Sequence, residues 1–458
     1  MPNFDLQNGD SLDVLKEFPD NHFDSIVSDP PYGLSFMGKA WDKSVPSVEI
    51  WQECLRVLKP GGHLLAFAGT RTQHRMAVNI EDAGFEIRDM IAWIYGSGFP
   101  KSHDVSKAID KHFGKKREVV GYASTHINRP ATENWNKSAQ PMKHSKFKED
   151  GAKTGGGLSA ITAPATPEAA QWEGWGTALK PALEPITVAR KPLTGTVAAN
   201  VLEWGTGGVN VDGCRVGTEE TLGRAKGGWG NSAVGATNYG NFNSIGIAKE
   251  GGRWPANLIH DGSDEVVGLF PHTKEGNGKI GGGDGKSKGL FGMGSRNVSR
   301  YPGEGSAARF FYCAKAQKKD RNEGVFDESA VLAEIKRRST LTEEEIENLG
   351  PVSEVGGMQN NHNTVKPTDL MRYLCRLVTP PNGLILDPFM GSGSTGKAAV
   401  LEGFDFVGIE LDPHFVEISR ARIEHAEKKK ESTEPVKKSS KRGKHSDGSK
   451  ISQGRLFE

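Results

Sequence analysis

Cysteine is scarce in this 458-residue chain: Cys54, Cys214, Cys313 and Cys375 stand singly, with no C-x-x-C pair among them. That spacing argues against a disulfide framework and against a zinc site, and points to core thiols. Long apolar runs are lacking as well. No uninterrupted stretch approaches the length needed to cross a bilayer, and the first residues lack the basic, apolar pattern of a signal sequence. The expectation is a protein of the cytoplasm with no membrane partner. Charge of one sign is missing too, since 58 Lys and Arg face 57 Asp and Glu for a net +1. A near-neutral total gives little overall field, so any polyanion contact rests on local clusters. Residues 111–117 (Lys-His-Phe-Gly-Lys-Lys-Arg) and 315–321 (Lys-Ala-Gln-Lys-Lys-Asp-Arg) are two such clusters, suited either to phosphate contacts or to ordinary solvated helix faces.

The length is ample for one large α/β domain with another inserted in it. Strand and helix signals alternate over residues 1–95: strands at 4–8, 25–28, 63–68 and 85–95, helices at 11–17, 48–58 and 71–83, with Val57-Leu58-Lys59-Pro60-Gly61-Gly62 stopping the second helix. Periodicity fades over 96–180, where Gly155-Gly156-Gly157 and residues 164–167 mark loops, and this stretch reads as an insertion. Pro185-Ile186-Thr187-Val188-Ala189-Arg190 then reads as another core strand, and 197–203 as its helix, so residues 181–204 return to the first domain. Residues 205–345 form the longest excursion, Gly-rich with Trp229, Tyr239, Phe242 and Trp254 interleaved. Residues 346–427 resume the α/β pattern, ending in a helix at 415–427. Beyond it, residues 428–458 hold ten Lys and Arg against four Asp and Glu and almost no apolar residue, the composition of a disordered basic tail.

Two motifs carry chemistry. The apolar run Phe23-Asp24-Ser25-Ile26-Val27-Ser28 ends in Asp29-Pro30-Pro31-Tyr32. An aspartate and a prolyl carbonyl can both accept hydrogen bonds from one exocyclic amino group, a tyrosine ring can stack on a base, and paired prolines keep the backbone extended and stiff. The plain alternative is a strand followed by a Pro-rich turn. The second motif is Leu384-Ile385-Leu386-Asp387-Pro388-Phe389-Met390-Gly391-Ser392-Gly393-Ser394-Thr395-Gly396, a strand entering a Gly-rich turn and then a helix at 397–402. Such a turn lets backbone approach a nucleotide-like ligand, and the helix start offers free N–H groups. Glu410, at the end of the next strand, follows Asp387 by 23 positions, the distance at which an acid meets ribose hydroxyls. Gly391-x-Gly393-x-x-Gly396 also fits the NAD fingerprint, although the Asp-Pro-Phe ending of the strand tells against it.

Together, D-P-P-Y and D-P-F-M-G-S-G-S-T resemble the motifs of S-adenosylmethionine-dependent DNA amino-methyltransferases. The catalytic tetrapeptide precedes the cofactor loop by 358 positions, from Asp29 to Asp387, which resembles the beta group of that family. The resemblance implies a circularly permuted Rossmann-like α/β sheet, with a target-recognition region (205–345) between the catalytic and cofactor halves. It further implies Asp29, Pro30, Pro31 and Tyr32 as catalytic residues. S-adenosylmethionine would be held by Asp10, Asp387, Phe389, Gly391, Gly393 and Glu410, with Thr364 and Lys366 near its amino-acid end. Asn8-Gly9-Asp10 resembles the segment that holds the adenine, and Asn363-Thr364-Val365-Lys366-Pro367 the T-x-K-P segment. Relatives show His-Pro-Thr-x-Lys-Pro, and here Asn363 stands in place of the first proline.

The implied substrate is double-stranded DNA, the implied reaction methylation of adenine N6 on a flipped base, and no metal is required. Cytosine N4 stays open, since both amino groups present the same geometry to Asp29. No cysteine follows a proline, so the nucleophile of cytosine-C5 enzymes is absent. An RNA or protein-amide methyltransferase and a non-catalytic DNA-binding protein are the other readings. Family members often dimerise, and Gln453-Gly454-Arg455-Leu456-Phe457 resembles the peptides that dock on bacterial sliding clamps.

Overall fold

Strands that are apolar on both sides need cover on both faces, and the computed structural model supplies it. It describes residues 3–35, 40–98, 102–124, 158–217, 252–273, 305–314, 317, 319–325, 360–362 and 364–433. They form two compact units, one drawn from Met1–Gly96 and Leu183–Glu458, the other from Ser97–Ala182. In chain order the strands are β1 (Phe4–Asn8), β2 (Phe23–Ser28), β3 (Leu58–Phe67), β4 (Glu86–Ile94), β5 (Val119–Ser124), β6 (Leu158–Thr162), β7 (Leu183–Arg190), β8 (Leu258–His260), β9 (His272–Thr273), β10 (Gly305–Ser306), β11 (Tyr312–Cys313), β12 (Leu384–Asp387) and β13 (Asp405–Glu410). The helices are α1 (Ser11–Leu15), α2 (Val48–Val57), α3 (Gln73–Asp82), α4 (Val105–His112), α5 (Pro167–Gln171), α6 (Val197–Trp204), α7 (Asp264–Val267), α8 (Lys319–Asn322), α9 (Thr368–Val378), α10 (Ser394–Glu402) and α11 (Pro413–Thr433).

The larger unit is built on a nine-stranded sheet in the order β1-β13-β12-β2-β3-β7-β4-β8-β11. All neighbours run parallel except β7, which lies antiparallel to both β3 and β4. Successive residues of one strand serve opposite faces: Val27, Leu65 and Ile385 join one core, while Ile26, Leu64 and Leu386 join the other. The first core is closed by α9, α10 and α11, and the second by α2 and α3. In α9 the apolar residues Leu370, Met371, Leu374, Cys375 and Val378 share one buried face, and Arg372 and Arg376 on the other pair with Glu402 of α10.

From β12 the chain passes through α10 to β13 on one side, and from β2 through α2 to β3 on the other. The adjacent ends of β12 and β2 therefore form a topological switch point, where a crevice opens beyond the strand ends. Both motif loops leave the sheet there.

The smaller unit contains the antiparallel pair β5–β6 with α4 and α5. Its buried Asp110 accepts hydrogen bonds from Arg117 Nη1 (3.1 Å), Ala165 N (3.0 Å) and Thr166 Oγ1 (2.9 Å). Arg117, the end of one basic cluster, is thus committed to an internal ion pair rather than offered to phosphate.

Several expectations shift. Strand β3 begins at Leu58, five residues before the expected start, because Gly61 takes a left-handed φ of 77° and Lys191 bonds across to the Gly61–Gly62 backbone, so the expected stop becomes an irregular strand entry. Residues 205–345 do not simply leave the α/β core: β8 and β11 extend the sheet beyond β4, because their backbones complete its open edge. Residues 319–325 pack under the Gly-rich loop, since the buried cations Lys397 and Arg422 need partners there: Glu323 pairs with Lys397 and the Asp320 carbonyl accepts from Arg422. The final helix runs to Thr433, six residues into the expected tail, where Lys429 pairs with Glu323 and Lys430 donates to the Val400 carbonyl. The rest of that tail, with Gln453–Phe457, and Trp229, Tyr239 and Phe242 lie outside the described residues.

Candidate active site

At the switch point Ser28 Oγ, the last residue of β2, donates to Asp387 Oδ1 at 2.6 Å, so the strands that carry the two motifs are tied together at their ends. A cavity of about 570 Å³ opens beyond them. Asp29, Pro30, Pro31 and Tyr32 line it together with Asp10, Thr364, Lys366, Asp387, Phe389, Gly391 and Glu410. Of the residues expected from sequence only Gly393 does not. It sits behind the lining at the N-cap of α10, with a φ of 77° and its backbone against Ser419.

On the side of the Gly-rich loop, Asp387 is almost fully buried and accepts from Ser28 Oγ (2.6 Å), Thr395 Oγ1 (2.5 Å) and Phe389 N (3.1 Å). Burial raises its pKa to about 6 against the pull of those hydrogen bonds. Its three protein donors make it foremost the anchor of the loop. Glu410 clamps the same loop from β13, accepting from Gly391 N and Asp412 N, both at 2.9 Å, and burial raises its pKa. Gly391 takes a φ of 54°, and a Cβ there would lie 2.9 Å from the His362 imidazole, so the position demands glycine on both counts. Asp10 caps α1 through Leu12 N (2.9 Å) and lines the cavity.

His362 faces Gly391 and packs edge-on against Phe415 at 4.7 Å between centroids. Burial, followed by the charges of Lys366, Arg422 and Arg321, lowers its pKa to about 4, so the ring is neutral at physiological pH. Its carbonyl accepts from Arg321 Nη1 at 2.7 Å. Arg321 belongs to the second basic cluster and here holds a wall of the cavity. Asn363 lies outside the described residues.

On the other side, Tyr32 OH donates within reach of two carboxylates, Asp29 Oδ1 at 2.7 Å and Glu184 Oε2 at 3.0 Å. Lys366 Nζ lies 2.6 Å from Asp29 Oδ2, 3.2 Å from Glu184 Oε2 and 3.2 Å from Tyr32 OH. Its ammonium also stands over the rings of Phe67 (4.9 Å) and Tyr32 (5.5 Å). Burial alone would lower the lysine pKa, but Asp29 and Glu184 outweigh it and hold it above the ordinary value. Burial and then those same carboxylates push the Tyr32 phenol well above its usual pKa, so it stays a protonated donor. Two carboxylates with one ammonium leave this corner with a net negative charge.

The turn itself is set by Asp42. This buried side chain accepts from the backbone N–H groups of Tyr32 (2.7 Å), Gly33 (2.9 Å) and Leu34 (3.2 Å). The prolines before it have no N–H to give, so Asp42 binds the first three donors the loop offers. Neither Asp42 nor Glu184 stands out in the sequence: each is an isolated acid outside the motifs, and only folding brings it to the site.

Parts of the chain are similar to known proteins. The chain is 44% identical over 64 residues to the type II methyltransferase M2.MboI of Moraxella bovis, covering 14% of this chain and 23% of that protein. It is 35% identical over 66 residues to the DNA adenine methyltransferase YhdJ of Escherichia coli K12, covering 14% and 22%. It is 30% identical over 129 residues to the type II methyltransferase M.HindIII of Haemophilus influenzae, covering 19% and 42%. The chain thus spans less than half the length of each. Among solved structures it superposes loosely on the M1.HpyAVI–SAM complex (TM-score 0.35, 13% identity, 92% of this chain and 98% of that one). It does so likewise on the cytosine-N4-specific PvuII DNA methyltransferase (TM-score 0.37, 13% identity, 94% of each). The model of the N6/N4 DNA methylases matches residues 23–421, from the strand that carries Asp29 to the helix behind the Gly-rich loop, and the chain belongs to that family.

Proposed function

We propose that this protein transfers a methyl group from S-adenosylmethionine to the N6 amino group of an adenine flipped out of double-stranded DNA. The observation that carries the reading is the convergence of both motif loops on one cavity, with Asp29 and Tyr32 on one side and Gly391 and Glu410 on the other. The residues present suit the cofactor. Gly391 leaves room where any Cβ would collide, Glu410 and Asp10 offer carboxylate oxygens to hydroxyl and amino groups, and Phe389, Ile409 and Leu411 supply apolar wall. When bound, the sulfonium supplies an activated methyl group.

The chain's own residues do the remainder by orientation and electrostatics. Asp29 and the Pro30 carbonyl accept the amino hydrogens and draw the nitrogen lone pair out of conjugation. Tyr32 offers its ring to the base while its hydroxyl is held by Asp29 and Glu184. Lys366 fixes the Asp29 carboxylate in place before the base arrives. Its 2.6 Å pairing with Asp29 makes it part of the amino-binding corner, beyond the cofactor contact expected from its sequence motif.

Adenine is favoured by D-P-P-Y and by the name of the adenine-specific relative from E. coli. The test is base-modification sequencing of DNA from a methylation-deficient bacterium that expresses the chain or its Asp29→Ala variant. N6-methyladenine in one repeated motif, lost with the variant, is expected; N4-methylcytosine would reassign the base, and unmodified DNA would sink the reading. We further assign target recognition to residues 205–345 and clamp docking to Gln453–Phe457. The second assignment is checked by a pull-down with sliding clamp that should fail once residues 453–458 are deleted.

A further inference from the structure

We propose that Glu184 is the outlet for the proton released in the reaction, reached from Asp29 through the Tyr32 hydroxyl. This rests on the methyl-transfer reading above. Attack by the amino lone pair forms the new N–C bond, the cofactor sulfur keeps the bonding pair of the broken C–S bond, and the base nitrogen is left with one proton too many. Asp29 is the acceptor beside that nitrogen, but a base seated in the cavity cuts it off from water. Glu184 does not line the cavity, yet 19% of its side chain is exposed. Its contact with solvent therefore persists while the cavity is filled.

The Tyr32 hydroxyl joins the two carboxylates, 2.7 Å from Asp29 Oδ1 and 3.0 Å from Glu184 Oε2. It has one proton to donate and lone pairs to accept with, so it can pass a proton on without ionising. As Asp29 gives its new proton to the Tyr32 oxygen, Tyr32 gives its own to Glu184. Asp29 is restored as a carboxylate, Glu184 becomes a neutral acid, and it then loses the proton to water. Lys366 sets the direction. Its ammonium is 2.6 Å from Asp29 and 3.2 Å from Glu184, so Coulomb attraction favours leaving the negative charge on Asp29 and the proton on Glu184. Glu184 acts through Tyr32 and is a positioning residue in this scheme; it also neighbours Tyr95, whose phenol pKa is raised by burial and then by the Glu184 charge.

The test is single-turnover transfer of tritiated methyl groups to DNA, followed across the neutral pH range. Glu184→Gln should slow turnover by about 10- to 100-fold while KM for DNA and for S-adenosylmethionine stays within about threefold. Tyr32→Phe should show the same defect, and the double variant should be no slower than the slower single one. Formate should restore Glu184→Ala in proportion to its concentration, and Glu184→Asp, which keeps the carboxylate, should retain turnover. In the free protein, removing one carboxylate beside the phenol should let Tyr32 ionise at lower pH in Glu184→Gln, read by tyrosine absorbance. Turnover of Glu184→Gln equal to the active parent, or equal loss in the Asp and Gln variants, would overturn the proposal. A parent protein that labels no DNA would overturn the methyl-transfer reading, and this inference with it.

Discussion

Lys366 Nζ and Asp29 Oδ2 meet at 2.6 Å although 337 positions separate them in sequence. The lysine is 5% exposed, so its charge is tolerable only because Asp29 and Glu184 both face it. Lys366→Met would leave two carboxylates facing one another without a counter-charge. Unfolding in urea should show a loss of about 3 kcal/mol, the low end for a broken buried pair because both carboxylates keep some exposure. The lysine pKa is raised, so its stabilisation is fully present below the ordinary lysine value and lost only as pH climbs past the folded one. The variant's deficit should therefore not change across neutral pH.

Asp387 shares that sign but titrates in a much lower window. Its folded pKa of about 6 lies above the usual carboxylate value, so the folded state binds more protons between the two, and stability falls as pH rises through that window and stays level beyond it. Asp387→Asn removes the titration while keeping an acceptor for Ser28 and Phe389. The melting temperature of the variant relative to the parent should rise between roughly pH 4 and 6 and then level off. A difference that does not vary with pH would refute the assignment.

Asp42 holds the turn after Asp29-Pro30-Pro31 by three backbone N–H groups while 2% exposed. Asp42→Ala orphans those donors and should cost about 2 to 3 kcal/mol by thermal or chemical unfolding. It should also lower single-turnover rate by about 100-fold, since misplacing Asp29 or Tyr32 by a fraction of an ångström spoils orientation. Asp42→Asn, which keeps one acceptor, should recover part of both.

Gly391→Ala places a Cβ 2.9 Å from His362 on a backbone with φ at 54°. Strain of about 1 kcal/mol or more from the left-handed conformation, together with displacement of His362, should weaken S-adenosylmethionine binding by about tenfold or more in calorimetric titration. The contrast is Gly114, whose φ of 62° faces open space; alanine there should leave cofactor affinity untouched.

The strands and both chemical motifs were legible in sequence because they are local. An apolar run ending in Asp-Pro-Pro-Tyr, or entering Gly-Ser-Gly-Ser-Thr, carries its own backbone constraints, and glycine or proline at a fixed offset says what the turn must do. Their positions after β2 and β12 follow from that grammar, whereas it was the family resemblance that implied Asp29 and Tyr32 on the catalytic side and Gly391 and Glu410 on the cofactor side; the fold brings all four to one cavity. What sequence could not reveal depends on strand order. Ser28 meets Asp387 only because β2 and β12 are neighbours, and Glu184 reaches Tyr32 only because β7 inserts antiparallel between β3 and β4. The edge strands β8 and β11 are three and two residues long, too short for any period to declare itself. Asp42 and Glu184 look in sequence like any solvated acid; the fold gives them their roles by setting Asp42 against three backbone N–H groups and Glu184 beside a lysine already paired with Asp29. Sequence therefore determined the chemistry at hand, through residue types at short fixed spacings. Tertiary structure decided which charges face each other, because a buried pair forms only where distant strands come into register and water is excluded.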